Sequence, residues 1–127
     1  MLTAGSAGII YLMNYEILRS GGIDVNDALN RFSGSSELFE KYINRFIGEK
    51  SYTELVVSME KKDYAAAENA VHSLKGVTGS LGMKDLFESS CALLAAFRDK
   101  KEELFSPLLE EIKVKYEEIS AVIKNSL

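Results

Sequence analysis

The 127-residue chain has no tryptophan and only one proline, one cysteine and one histidine. Each scarcity closes off a class of protein. A lone cysteine, Cys91, cannot form an intramolecular disulfide, so a reducing, cytoplasmic compartment is expected. One histidine and one cysteine cannot make the usual zinc set, and neither metal nor other cofactor is expected. The single proline, with abundant Ala, Leu, Glu and Lys, leaves long stretches free to be helical. No apolar run approaches the roughly 18 residues of a membrane span, so no membrane partner is expected. There is also no basic stripe, and the formal net charge is −4, which makes nucleic acid a poor partner.

What is present is an ordinary globular balance, 46% apolar and 27% charged, in a length suited to one domain with one core. A monomer is expected. The opening "MLTAGSAGIIYLM" carries a short apolar run with no basic residue before it, a poor signal peptide. Residues 1–22 end in "SGG" and read as a linker, a tag or an extra packing segment, flexibly joined to a domain over residues 23–127.

Within that domain, start and stop signals delimit a series of helices. Asp24 can cap "VNDALNRF", and Ser35 or Ser36 can cap "ELFEKYINRFI", whose Leu38, Phe39, Tyr42, Ile43 and Phe46 share one face. Ser51 and Glu54 fit a capping box for "YTELVVSMEKK". Asp63 can cap the helix through His72, which should fray near Gly79 to Gly82. In "KDLFESSCALLAAFRDKK", Leu86, Leu93 and Phe97 lie on one side, and Cys91 reads as a small core residue. Ser106-Pro107 opens the last helix, with Glu110 and Glu111 in its first turn and Leu108, Ile112, Tyr116, Ile119 and Ile123 inward. Short connections between amphipathic helices predict an all-α, antiparallel up-down four-helix bundle made by the last four, with the additional short 24–32 helix over one end.

"AENAVHSLKGVTGSLGM", residues 67–83, places Gly76, Gly79 and Gly82 close to the one histidine. Glycine inside a helix is unfavourable by roughly 1 kcal/mol relative to alanine, so the missing side chains need a reason. On a wheel of about 100° per residue, Ala67, Ala70, Val71, Leu74, Val77, Thr78 and Leu81 form the core sector. His72 falls nearly opposite its centre. Gly76 and Gly79 lie beside it and Lys75 flanks the strip, at the offsets of surface neighbours. The glycines read as clearance for something arriving from outside. An exposed imidazole is a nitrogen nucleophile near neutral pH, able to hold a transferred group and release it. Lys75 suits a compact anion, and a phosphoryl group fits.

At "AVHSLKGVTGSLG", residues 70–82, the sequence resembles the histidine-containing phosphotransfer (HPt) domains of phosphorelays, in the pattern His-x-x-Lys-Gly with small residues after it. The helical order from residue 22 to about residue 125 also matches. The resemblance implies a phosphorelay intermediate that has no nucleotide site. Its His72 would take a phosphoryl group from an aspartyl phosphate on a response-regulator receiver domain and pass it to another receiver. It implies Lys75 as the phosphate's electrostatic partner and Gly76 as the clearance position. Gly79, Ser80, Ser73 and Lys84 would lie on the docking surface, Ser80 as a hydrogen-bond donor and Tyr64 near the rim. The receiver would supply Mg²⁺ and the aspartate, and a sensor kinase is a further partner. Many relatives carry a Glu or Gln on the next helix that bonds the imidazole; here that position is Leu94, or Ser90 with a one-turn offset.

Four other readings compete. The phospho-acceptor helix of a sensor kinase normally has an acidic residue after its histidine and a proline some five residues on, where this chain has Ser73 and Val77. The phospho-acceptor domain of a larger chemotaxis-type or hybrid kinase shares the motif itself. A non-catalytic helical adaptor would use Phe32, Phe39 and Tyr42 as a docking patch. A metal-dependent hydrolase fails for want of ligands.

Overall fold

A computed structural model describes residues 13–127; the apolar run at the very start of the chain lies outside the described residues. Seven α-helices follow in order: α1 (Tyr15–Ser20), α2 (Val25–Arg31), α3 (Ser36–Arg45), α4 (Lys50–Glu60), α5 (Tyr64–Ser80), α6 (Lys84–Arg98) and α7 (Phe105–Ser126). Short 3₁₀ turns at Phe46–Gly48 and Glu102–Leu104 lead into α4 and α7.

Local side-chain chemistry sets the helix starts. Asp24 accepts from the Asp27 amide, Ser35 from Leu38 and Asp63 from Ala66, each filling an amide that the first turn leaves open. The capping box expected at Ser51 and Glu54 does not form. Glu49 is the cap instead, accepting from both the amide and the hydroxyl of Ser51, which lies within the first turn, two residues past the cap position. The last helix likewise starts one residue early, at Phe105, so Glu110 and Glu111 fall beyond its first turn. Glu111 is used laterally, accepting from Ser89 and Lys115 at 3.0 Å each.

Helices α4 to α7 make the bundle, each packed antiparallel against the next. Glu68 of α5 reaches Arg98 of α6 at 3.9 Å, while at the other end Gly79 meets the Phe87 ring. The Tyr52 and Tyr116 rings stack at 3.7 Å and close α4 against α7, and the Tyr116 hydroxyl donates to the carbonyls of Phe46 and Ile47. Leu55, Leu74, Leu93 and Ile112 fill the centre, all with no exposed surface. On α7 the buried leucine is Leu109, with Leu108 only partly covered. Of the apolar face expected on α3, Phe39, Ile43 and Phe46 are buried, whereas Leu38 and Tyr42 are about two-fifths exposed (42% and 40%).

Tyr15–Ser20 is helical and packs on α7: Leu18 is fully buried and the Asn14 amide bonds the Ser126 carbonyl at 2.6 Å. Short α2 is tied to the α5–α6 turn. The Asp24 amide donates to Gly82 O at 2.9 Å, and the Asp24 carboxylate pairs with Lys84 at 3.1 Å. No helix among the described residues is long and apolar enough to cross a membrane.

The Asp27 amide, and after it Lys84, hold the Asp24 carboxyl below the ordinary carboxylate range. Its contribution is therefore present above the unfolded pKa and lost as pH falls through the lower, folded value. Asparagine also caps helices well, so Asp24→Asn isolates the charge. The melting-temperature gap between wild type and this variant should be widest at about pH 7 and shrink towards about pH 3. A gap of constant width would show that the charge does not stabilise the fold.

Candidate functional site

The imidazole stands in mid-helix on α5, exposed, with the core residues Val71 and Leu74 on the far side of the same turns. No described residue hydrogen-bonds it. Lys75, three residues on, is half-buried and has no ion-pair partner among the described residues. A Cβ added at Gly76 would meet nothing within 4 Å, so the space one turn from the ring is open to solvent.

The other two glycines serve the domain itself. A Cβ at Gly79 would come within 3.2 Å of the Phe87 ring, so its missing side chain lets α6 approach. Gly82 has φ +71° and lies against the backbone of Asp24, where a side chain would overlap the Asp24 carbonyl oxygen. Of the clearance inferred from sequence, only that at Gly76 faces outward.

His72 lines a groove of about 580 Å³ together with Lys75, Gly76 and Gly79 of α5, Asp27 and Arg31 of α2, and Lys84, Phe87 and Glu88 at the start of α6. On the opposite side, Ser73 opens onto a second hollow with Phe32, Tyr42, Arg45, Val77 and Leu81. Gly76 and Ser80 border both, so this strip of α5 is a ridge between a charged groove and an aromatic hollow. Phe32 and Tyr42 stack there at 5.5 Å, with the Arg45 guanidinium 5.6 Å from the Tyr42 ring.

Several expected site residues sit otherwise than expected. The Ser80 hydroxyl donates back to Gly76 O at 3.0 Å and is already engaged. Lys84 does line the groove, but with its ammonium on Asp24. Tyr64 lies at the far end of α5, packed against Phe97 and Phe105, away from the groove. Between the Glu68–Arg98 and Gly79–Phe87 contacts, His72 is level with Leu94, which is buried (2% exposed). Ser90 is also buried and donates to Leu86 O at 2.8 Å. Neither orients the ring. Asp27, Arg31, Phe87 and Glu88 were missed from the sequence because only tertiary packing brings them to His72. The i,i+4 pair of Asp27 and Arg31 is, read locally, an ordinary surface pair.

The fold and this ridge describe a helical bundle that presents one solvent-facing imidazole beside a lysine with no ion-pair partner among the described residues. The family model described as Hpt domain matches residues 32–122, and the chain belongs to that family. Its role is therefore histidine phosphotransfer in phosphorelays, in which such domains interact with receiver domains of response regulators or with kinases. Comparison with curated proteins and with solved structures gave no match.

Proposed function

We propose that His72 is the residue that carries the phosphoryl group, received from the aspartyl phosphate of one receiver domain and passed to the aspartate of another. The observation that carries this reading is the exposed imidazole over the empty space at Gly76. An unprotonated ring nitrogen attacks phosphorus in line; the P–N bond forms as the acyl-phosphate P–O bond breaks, and the aspartate leaves as carboxylate. Delivery is the reverse of this step. In-line approach requires that nothing project beside the ring, which is the part assigned to Gly76. Lys75 offers a positive charge to the phosphoryl oxygens, with no carboxylate among the described residues paired to it. The receiver supplies the aspartate and Mg²⁺. The same chemistry holds whether the domain stands alone or within a larger kinase.

The adaptor reading draws on Phe32 and Tyr42, and both border the ridge that bears His72. A partner seated in their hollow lies beside the imidazole, so the patch serves transfer equally well. The test is incubation with every receiver domain encoded by the source genome, each first phosphorylated. Acid-labile, base-stable label should appear on this protein with at least one of them. No label from any would leave the adaptor as the surviving reading.

Gly76→Leu separates clearance from fold. Helix propensity should raise stability by up to about 1 kcal/mol. Transfer should slow on the order of tenfold or more, about 1.4 kcal/mol in the barrier, because the leucine occupies the approach. Unchanged transfer kinetics would remove Gly76 from the mechanism while leaving His72 in it.

A further inference from the structure

Arg31 is the one groove cation contributed by a residue outside the family match, which begins at residue 32. Its carrier, α2, is not free to wander: the Asp24 amide is bonded to Gly82 O, and the buried Val25 and Ala28 anchor the helix in the core. The guanidinium is oriented by a single bond, from Nε to Asp27 Oδ2 at 3.1 Å. Both terminal nitrogens are left without a partner among the described residues, and the side chain is 55% exposed. A guanidinium held by Nε alone presents its planar fork outward, the geometry that grips a carboxylate through two parallel hydrogen bonds.

The surroundings favour such an acceptor. Of the three cations lining the groove, Lys84 is committed to Asp24, whereas Lys75 and the terminal nitrogens of Arg31 have no acidic partner among the described residues. The donors left uncommitted beside His72 are thus both cationic. Resting on the reading of His72 given above, we propose that Arg31 is a docking residue for the phosphotransfer partner. It would take a carboxylate on the rim of the partner's phosphoaspartate site. A site that holds Mg²⁺ is built from carboxylates and is therefore acidic. Arg31 stands on α2 and not on the helix that bears His72, so it contributes to docking and leaves the transfer chemistry to α5.

The test measures transfer from a receiver domain that phosphorylates the wild type, as a function of receiver concentration and of salt. Arg31→Ala should raise the half-saturating concentration by about tenfold, keep the rate at saturation within about twofold, and flatten the salt dependence. Arg31→Lys should recover only part of the loss, because a point charge replaces a fork. Asp27→Asn removes the internal partner and keeps the cation, so its half-saturating concentration should equal or fall below that of wild type. If Asp27→Asn weakens docking as much as Arg31→Ala does, the pair acts by supporting α2 and the proposal is overturned. It is equally overturned if Arg31→Ala docks like wild type. Failure of the wild type to accept phosphate from any receiver is a different result, one that removes the reading of His72 and this proposal together.

Discussion

His72→Gln is expected to abolish base-stable labelling completely while leaving melting temperature and helical content nearly unchanged. The side chain is exposed, sits in mid-helix and makes no hydrogen bond to a described residue, so nothing in the core depends on it. Surface substitutions of this kind shift stability by at most about 0.5 kcal/mol, and glutamine is a better helix former than histidine. Function should respond in the opposite way. Glutamine's amide nitrogen has its lone pair delocalised into the carbonyl and is not a nucleophile. No second histidine exists to take over. Residual base-stable label on the variant would place the acceptor elsewhere. A variant that loses label and also melts early would show that His72 has a structural task as well.

The second large effect is on the fold. Gly82→Ala should lower stability by about 3 kcal/mol, or roughly 10 °C in melting temperature for a chain of this size. Two independent penalties act at this position. A φ of +71° disfavours any residue with a Cβ, and the added atom would overlap the Asp24 carbonyl. Relief requires α2 to move off the α5–α6 turn, breaking the bond from the Asp24 amide to Gly82 O and disturbing the Asp24–Lys84 pair. Alanine at Gly76 should act in the opposite direction and stabilise by up to about 1 kcal/mol, because its Cβ meets nothing. Thermal melts of the two variants, run side by side, test the assignment of a separate role to each glycine. A Gly82→Ala protein that melted with wild type would refute it.

Those glycines also mark how far the sequence could be read. Three residues of one type, spaced three apart beside a histidine, carry the same local signal, and helical periodicity rightly placed Gly76 on the exposed face with His72. The roles of the other two depend on atoms far along the chain or in another element, the Phe87 ring and the Asp24 backbone. The same boundary separates the other outcomes. The bundle was legible because each of its helices carries its own apolar stripe, and α5 begins at a capping aspartate, Asp63. The Ser51 cap was misread because Glu49, two residues earlier, competes for the same first-turn amide. Helix α1 was missed because its burial rests chiefly on Leu18 meeting α7, a contact with no periodic signature in six residues. Arg31 and Asp27 looked like a solvated pair, and nothing within α2 indicates that the helix ends beside His72.

The lack of a hydrogen bond to the imidazole bears on the thermodynamics of the relay. A scaffold that gripped the ring, or enclosed the phosphoryl group it receives, would lower the free energy of the phosphorylated state and make the carrier a sink. Here no described residue hydrogen-bonds the ring, and a cation at such an accessible site, Lys75 included, contributes no more than about 1 kcal/mol. On the proposed chemistry, the P–N bond on His72 then keeps nearly the transfer potential of a phosphohistidine in water. The bundle lends position to the exchange and little energy, so the balance between donor and acceptor is set by the two aspartyl phosphates on either side of it.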